Sequence, residues 1–422
     1  MTSLREGRIG TPPPSLHSLA RFLLRTKLFW GLIALFVLGA AMSPVSSKGV
    51  NIFLTSDNLS DVLRQVSNNG IIAVGMTLVI LIAGIDLSVG SVMALGSVVC
   101  AMLLTQRGWN AAAFLAIPLL GLFVLALAGW AAARLAARAR LSSPAAGRIA
   151  GFLLGLISAA LAVHWSLSQL DVKFGVVGVL AVVPVVGLGV GALNGVIIAK
   201  GKLQPFIVTL AMMVGILGTA RLVAGPDTTV YPVYTGTNAT AEFEVLRNLV
   251  WRILPVPGLF FLAAVAIFAF VLRHTTFGRY IYAIGGNEQA ARLSGIAVDR
   301  VKIAVYGISG MLASLAGVLY VAQYRQGKPD AGVGSELDAI AAVVIGGTNL
   351  MGGKGSITGT LVGVLIFGFL SNILQLRNID SNTQLVLKGV IILTAVMLQE
   401  GNMRLWLQRV LRYLRGLQGR DG

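Results

Sequence analysis

Runs of about 20 apolar residues recur along the whole chain and constrain its fold more than any other feature. That length lets an α-helix cross the ~30 Å hydrocarbon core of a bilayer. One run could be an anchor, whereas about a dozen runs indicate a chain that crosses the membrane many times. Its backbone polar groups must then be hydrogen-bonded within each helix. We therefore predict an all-α, polytopic bundle of transmembrane helices with about 10–12 spans. The expected spans are residues 28–47, 65–83, 88–105, 111–133, 149–170, 174–199, 205–224, 255–272, 303–322, 337–352, 357–376 and 384–399.

The tenth expected span, 337–352, is the weakest. It is short and rich in glycine, and it begins at the charged pair Glu336 and Asp338. Whether it crosses the bilayer fully or forms a broken or re-entrant segment stays open at this point.

The charge balance fits a membrane protein better than a nucleic-acid-binding one. Apolar residues make up 56% of the chain, and the net charge is +17. The basic residues fall in short loops and tails between spans, so we expect contact with membrane lipid and no nucleic-acid partner. The single cysteine, Cys100, lies in an apolar run, which excludes a disulfide framework and a thiolate metal site. We expect no cofactor and no metal.

The distribution of Lys and Arg predicts the orientation. With the N-terminus inside, 22 of the 33 basic residues fall on the cytoplasmic side, and the C-terminus lies there too. This arrangement divides the chain into a disordered cytoplasmic tail (1–27), a transmembrane domain (28–400) and a basic cytoplasmic tail (401–422). The longest external loop, 225–254, is either a surface for a periplasmic partner or a solvated connector.

A polar stretch at 273–302 interrupts the apolar spans. It contains five basic residues, and its part from 287 to 293 can form a short helix between Gly285-Gly286 and Gly295. A loop of this length in so apolar a chain is a candidate contact for another protein.

Several further motifs occur in order along the chain and carry a resemblance to a known family. They are Gly84-Ile-Asp-Leu-Ser-Val-Gly-Ser91, Gly191-Ala-Leu-Asn-Gly-Val-Ile-Ile-Ala-Lys200, Leu203-Gln-Pro-Phe-Ile-Val-Thr-Leu210, Leu385-Val-Leu-Lys-Gly389 and Glu336-Leu-Asp-Ala-Ile-Ala-Ala-Val-Val-Ile-Gly-Gly-Thr-Asn-Leu-Met-Gly-Gly-Lys-Gly-Ser356. With the stretch 278–302 they resemble the membrane permeases of bacterial ABC importers for monosaccharides, the ribose, xylose and galactose group. The resemblance covers about residues 50 to 400.

The resemblance implies a multi-pass permease domain of the bacterial inner membrane with ten spans. It also implies a second permease subunit (identical or pseudo-symmetric), a periplasmic sugar-binding protein and a separate ATP-binding cassette subunit. The region 134–173 departs from the pattern and is expected to be an insertion, to which no role is assigned.

In this family, cytoplasmic loops insert short helices into grooves on the ATP-binding subunits, which implies such a coupling role for 273–302. We expect Asn287 to cap the helix and Gly285 and Gly286 to permit the turn into it. Small side chains would let the partner approach closely. The expected coupling residues are Gly285, Gly286, Asn287, Ala290, Ala291, Ser294 and Gly295.

ATP chemistry is not expected in this chain. The segment 347–355 fails as a phosphate-binding loop, because Thr348 stands where the first glycine is required and Gly355 stands where Ser or Thr is required. Its glycines instead favour a bend between two helical segments, with Lys354 at the cytoplasmic face. We therefore expect a transport subunit that is not itself an enzyme.

Asp86 is a carboxylate between two long apolar runs, where a charge is costly. The predicted topology places it in a turn near the cytoplasmic face, where Asp86 or Ser88 would cap a helix. A gating or dimer-contact role is the alternative. The candidate motif and gating residues are Asp86, Ser88, Gly90, Asp338, Gly346, Gly347 and Gly353.

The residues that touch a solute in transit are harder to predict. Small polar side chains on the spans are the candidates, and each also has a structural interpretation. They are Asn68, Asn69, Asn194, Asn372 and Gln375. Lys388 is expected near an external span end, where its side chain can reach water.

Three other functions compete with sugar import. The same architecture could carry another small polar solute, such as a furanose signal molecule or a branched-chain amino acid. An ion-coupled secondary transporter would hold titratable pairs in mid-membrane, and none is expected here. A membrane hydrolase would need paired carboxylates, a His cluster or an activated serine, and the spans show no such set.

Overall fold

The computed structural model describes residues 27–105, 174–225, 230–251 and 253–399. The predicted spans 111–133 and 149–170 and the predicted insertion 134–173 lie outside these residues. So do the basic tail 401–422 and the N-terminal tail up to residue 26.

Within the described residues the chain forms twelve α-helices. They are α1 (Lys27–Met42), α2 (Ser56–Leu81), α3 (Val89–Thr105), α4 (Val176–Gly201), α5 (Pro205–Ala224), α6 (Val256–His274), α7 (Thr276–Gly286), α8 (Glu288–Leu293), α9 (Val298–Tyr324), α10 (Ser335–Ile345), α11 (Ile357–Leu376) and α12 (Ser381–Gln399). Helices α4, α5, α6, α9 and α11 are long and apolar enough to cross a membrane. These helices confirm the all-α, polytopic class. The count of 10–12 spans and the cytoplasmic position of both termini stay predictions.

Short extended segments join the loops at the end of the bundle opposite α8. Strand β1 (Tyr231–Pro232) pairs antiparallel with β4 (Gln326–Gly327), and β2 (Leu249–Val250) pairs with β3 (Leu254–Pro255). A 3-10 helix, Ala241–Arg247, lies between them in sequence. We call this end of the bundle the distal end.

Helix α9 is the centre of the bundle and packs against α2, α3 and α4. Its contact with α4 depends on glycines four residues apart. A Cβ at Gly191 would collide with the carbonyl oxygen of Tyr306, and one at Gly195 would lie 2.6 Å from the Cα of Ile303. Such spacing of small residues lets transmembrane helices approach at backbone distance.

Two helices, α3 and α10, begin inside the bundle. The segment before α3 turns back so that Asp86 reaches Ser309, which lies 11 residues, or about 16 Å, into α9. A Cβ at Gly90, at the start of α3, would collide with the carbonyl oxygen of Gly332, just before α10. The N-termini of these two helices therefore meet within the bundle, and from there the helices run to opposite ends.

The span predicted over 337–352 is broken. Helix α10 has 11 residues and ends at Ile345, so it is about 16 Å long and too short to cross a bilayer. The following loop, 346–356, contains Gly347 and Gly353 at positive φ (86° and 69°), where a side chain would be strained.

Candidate functional site

A polar cavity of about 250 Å³ lies inside the bundle, and we call it the central cavity. Helices α2, α9, α10, α11 and α12 supply its polar wall, and the buried side chains Ala342 and Val364 lie on the side facing α8. The polar and aromatic lining residues are Gln65, Asn68, Asn69, Tyr320, Tyr324, Ser335, Asp338, Ser371 and Lys388.

An ion pair stands in the wall of this cavity. The Nζ atom of Lys388 lies 3.2 Å from Oδ2 of Asp338, and Asn69 Nδ2 donates to the same oxygen at 3.2 Å. Asn69 is 13 residues from the start of α2 and 12 from its end, so the pair lies level with the middle of that helix. Asn69, Asp338 and Lys388 are all among the first five residues of the expected spans 65–83, 337–352 and 384–399, so the expectation about the middle of the spans stays a prediction. Lys388 reaches Asp338, and the separation of these residues by 50 positions in sequence concealed their contact.

A second cavity of about 350 Å³ adjoins the first toward the distal end, and we call it the distal cavity. Gln65 and Tyr324 line both cavities, which connects them. Asp61 and Arg64, 3.3 Å apart, stand in its wall. The two cavities form a polar route from the distal end to the middle of the bundle.

The residues predicted to line a path divide into two groups. Asn68 and Asn69 line the central cavity and Gln375 lines the distal cavity. Asn194 instead donates to Ser88 in a buried cluster, and Asn372 exchanges hydrogen bonds with Asn58. The last two line neither cavity and instead join helices together, and their place on a path stays a prediction.

Asp86 is the centre of a buried hydrogen-bonded cluster. Its Oδ1 accepts from the backbone N–H and the hydroxyl of Ser88 (3.0 and 2.6 Å), and its Oδ2 accepts from Ser309 (3.0 Å). The Ser88 N–H lies one residue before α3, so this bond is a turn within the segment and the predicted cap on a first-turn N–H of the helix stays a prediction. The predicted depth is wrong, because Asp86 is 1% exposed and lies well inside the bundle. Ser88 also accepts from Asn194 at 2.8 Å, so the cluster joins α3, α4 and α9.

The segment predicted to contact a partner, 273–302, folds as α7, α8 and the start of α9. Asn287 caps α8 as predicted, since its Oδ1 accepts from the N–H of Ala290 at 3.0 Å. Gly285 does not form a turn: it lies in the last turn of α7, where a Cβ would collide with the carbonyl oxygen of Leu81. Gly286 also belongs to α7, so the predicted glycine turn into α8 is wrong.

The exposed surface of α8 differs from the expected one. Ala290, Ser294 and Gly295 are exposed, but Ala291 is only 4% exposed and packs in the core of the same chain. The expectation that Ala291 offers a surface to a partner is therefore wrong. Leu293 was missed, and it is 90% exposed at the end of α8. A leucine at the end of a short polar helix is the sequence signal that could have found it.

Ion pairs join α8 to α9, and α9 to α4. Lys302 pairs with Glu288 (2.7 Å), and Asp299 pairs with both Arg292 (2.9 Å) and Lys200 (3.3 Å). Exposed pairs contribute little stability individually. As a network they restrain the position of α8, and with it the direction in which Leu293 projects.

The glycine loop 346–356 connects α8 to the central cavity through α7. The N–H of Gly353 donates to the carbonyl of Leu81 (3.0 Å), and Tyr282 of α7 donates to the carbonyl of Gly355 (2.9 Å). A Cβ at Gly346 would collide with the backbone of Gly359, so the loop also packs closely on α11. This loop is a backbone contact between α7, α2 and α11, consistent with the failure of its phosphate-loop pattern.

Glu244 holds the distal loop to the end of α9. It accepts from Thr235 (2.7 Å) and from Arg325 (3.0 Å), and Arg247 lies 2.9 Å away. The hydrogen bond from Thr235 and the two nearby guanidinium groups lower the pKa of Glu244 against its slight burial. The carboxylate therefore stays charged and keeps this loop ordered at neutral pH.

Comparison with known proteins decides the family. The family model described as "Branched-chain amino acid transport system / permease component" matches residues 58–154 and 147–396. The chain belongs to this family. It is 41% identical over 375 residues to a ribose import permease protein of Escherichia coli strain K12, covering 87% of this chain and 91% of that protein.

Two other relatives agree. A ribose import permease protein of Haemophilus influenzae is 37% identical over 380 residues, covering 90% of this chain and 94% of the relative. A xylose transport system permease protein of Escherichia coli K12 is 34% identical over 363 residues, covering 83% and 87%. No solved structure matches the chain. The protein is therefore a multi-pass membrane permease, the transport subunit of an ABC importer.

Proposed function

We propose that this permease carries a monosaccharide across the bacterial inner membrane and that a separate ATPase subunit drives it through α8. The named substrates of the relatives, ribose and xylose, support the solute class. The observation that carries the coupling proposal is Leu293, a 90% exposed apolar side chain on a helix held by ion pairs. Because α8 lies outside the long apolar helices, lipid would not cover this side chain, and a partner protein can bury it.

The contacts around α8 provide a route for coupling. Helix α7, which precedes α8, meets the end of α2 at Gly285, and both contact the loop 346–356. That loop follows α10, which carries Asp338 into the central cavity. Displacement of α8 by ATP-driven closure of a partner would therefore reach the cavity through backbone contacts.

The proposed assembly follows the orientation predicted from the basic residues. The α8 end faces the cytoplasm, and the distal end, with its two connected cavities, faces a periplasmic sugar-binding protein. The loop around Glu244 belongs to that end and is the proposed docking surface. A second permease subunit, identical or related, completes the transporter.

Co-purification tests the coupling proposal. Leu293→Asp places a charge where an apolar contact is required, so the permease should insert normally but lose the ATPase subunit in mild detergent. Asn382→Asp is the matched control, because it adds the same charge at an exposed position of α12, away from α8, and should retain the ATPase. Mass spectrometry of the bound proteins gives the result. An ATPase that stays bound to Leu293→Asp as firmly as to the wild type would disprove the contact.

One observation favours a second function. The Asp338–Lys388 pair, level with the middle of α2, is of the kind that ion-coupled carriers use. Such a carrier would need no ATPase and would lose transport when the proton or sodium gradient is dissipated.

A further inference from the structure

We propose that the crevice between the first turns of α7 and α9 binds an anionic phospholipid. The phosphate of the head group pairs with Arg300, and the start of an acyl chain lies in the crevice. The inference goes beyond the proposed function, because a bound lipid would brace the segment that carries α8. It depends on neither the solute nor the ATPase subunit.

The crevice forms where the chain breaks between two helices. The extended backbone of Thr275 (φ −106°, ψ 161°) ends α6, and its Oγ1 accepts from the N–H of Gly278 at 3.2 Å, which caps α7. Helix α7 then lies beside the start of α9 and leaves a crevice of about 330 Å³ that opens at the surface of the bundle. Its lining residues are Thr276, Phe277, Tyr280, Ala297, Arg300, Val301 and Ala304.

The crevice lies at the level where two apolar helices leave the hydrocarbon core. Helix α6 ends at His274, and its last turns expose Ile267 and Phe270 (56% and 60%), as a helix in contact with acyl chains does. Ala304 lies six residues, or about 9 Å, into α9, which is also long and apolar enough to cross a membrane. Tyr280 is 40% exposed at the crevice, and tyrosine is enriched at this level of a membrane.

The charge at the crevice has no counterion from the surrounding segment. The chain from the end of α6 to the start of α9 carries five basic residues and only two carboxylates, Glu288 and Asp299. Both carboxylates pair with other cations, those of α8, the α9 lysine and α4. Among the described residues, Arg273, Arg279 and Arg300 form no ion pair, and all three are exposed. An anion from outside the chain therefore finds three free guanidinium groups here.

A phospholipid matches both parts of this surface. Its phosphate has the oxygens that a guanidinium group binds in a two-pronged contact, and Arg300 is the charged residue of the crevice lining. Its acyl chain covers Phe277, Val301 and Ala304, which a soluble anion would leave in contact with water. A lipid without net charge would leave the excess positive charge uncompensated. An anionic phospholipid is therefore the occupant that the charge and the apolar lining favour together.

The position of the lipid would restrain α8. Helix α7 leads the chain into α8 and α9 leads it out, so the crevice lies between the two elements that support α8. A lipid held by both elements would keep them at a fixed separation. The ion pairs between Arg292 of α8 and Asp299 of α9 restrain the same segment from its other side.

Photo-crosslinking in nanodiscs tests the site. The full-length permease is placed in phosphatidylcholine nanodiscs with a small fraction of phosphatidylglycerol that carries a diazirine near the start of an acyl chain. After illumination, mass spectrometry of peptides locates the modified residues. We expect crosslinks concentrated on residues 276–280 and 297–304. A phosphatidylcholine analogue with the same diazirine should give much lower yield there.

Two variants test the head group contact. At a low fraction of the crosslinker the yield is proportional to affinity, so Arg300→Gln should lower it about fivefold. Arg279→Gln is the matched control, because it removes the same charge from an exposed position of α7 that does not line the crevice, and it should lower the yield less. Equal losses in the two variants overturn the site in favour of a diffuse attraction to the membrane surface.

Two further variants test the acyl chain contact. Ala304→Phe fills the crevice from an exposed position and should lower the yield about tenfold, the effect of exposing about two CH₂ groups. Ala283→Phe adds the same ring on an exposed part of α7 outside the crevice and should leave the yield unchanged. Size-exclusion chromatography shows that each variant is folded.

Three results overturn the proposal. The first is equal labelling of the crevice by the phosphatidylcholine analogue. The second is a yield that Arg300→Gln leaves unchanged. The third is a yield that excess inorganic phosphate abolishes, at constant ionic strength, while Ala304→Phe has no effect. This last result would assign Arg300 to a free phosphate ion and leave the proposed function untouched.

Discussion

Gly285 is the residue on which the contact between the α8 region and the rest of the bundle depends most closely. It lies where α7 meets the end of α2, and no side chain fits between its Cα and the carbonyl of Leu81. Its neighbour Gly286 has open space around a Cβ position. Two adjacent glycines thus have different roles, although the sequence presents them as one motif.

These two glycines give a matched prediction. Gly285→Ala should push α7 away from α2 and destabilise the purified permease by about 1–3 kcal/mol, as overpacking does. Gly286→Ala should leave stability unchanged or raise it by about 0.4–1 kcal/mol, because alanine restricts the unfolded chain. Thermal unfolding monitored by size-exclusion chromatography measures both. Equal stability of the two variants would contradict the close contact at Gly285.

Predictions from the sequence were correct for local contacts and wrong for burial. The cap at Asn287 was predictable, because it depends on residues three positions apart. The burial of Ala291 and the exposure of Leu293 were not, since they depend on how α8 lies against α9. The depth of Asp86 depends in the same way on Ser309, 223 residues later in the chain.

At the scale of the helices, α3 and α10 begin inside the bundle. This distinguishes the fold from a bundle in which every helix crosses the membrane fully. The expected spans 205–224 and 357–376 coincide with α5 and α11, because their apolar runs end where the helices end. Hydropathy could not show that α3 starts at mid-bundle, since its residues are apolar at any depth, and for α10 it left a broken span open because of Glu336 and Asp338. It also missed the polar first turns of α2, from Ser56 on.

The packing of α10 on α11 makes a prediction about transport. A Cβ at Gly363 would collide with the carbonyl oxygen of Ala342, four residues after Asp338. Gly363→Ala should therefore displace α10 and reduce sugar uptake about tenfold or more, in line with the cost of misplacing a binding group by ~1 Å. The ATPase subunit should stay bound, because α8 is distant in the bundle.

The control for that variant is Gly389→Ala on α12, one residue after Lys388, where a Cβ meets nothing within 4 Å. Uptake into proteoliposomes and co-purification of the ATPase subunit are measured for both. Normal uptake with Gly363→Ala would show that the position of α10 does not matter for transport.

At the scale of the whole molecule, α8, the loop 346–356 and the central cavity form one contiguous set of contacts. The exposed Leu293 lies at one end and the Asp338–Lys388 pair at the other. The distal cavity opens the route on the opposite side. Under the proposed function, this arrangement would transmit the movement of a partner at α8 to the central cavity.

The most direct measurement is uptake of D-ribose into proteoliposomes that contain the permease, its ATPase subunit and a sugar-binding protein on the distal side. We expect uptake that requires ATP on the α8 side and continues when ionophores dissipate proton and sodium gradients. Leu293→Asp should abolish it. Uptake that proceeds without ATP and collapses with the ion gradient would contradict the account and assign the Asp338–Lys388 pair to ion coupling.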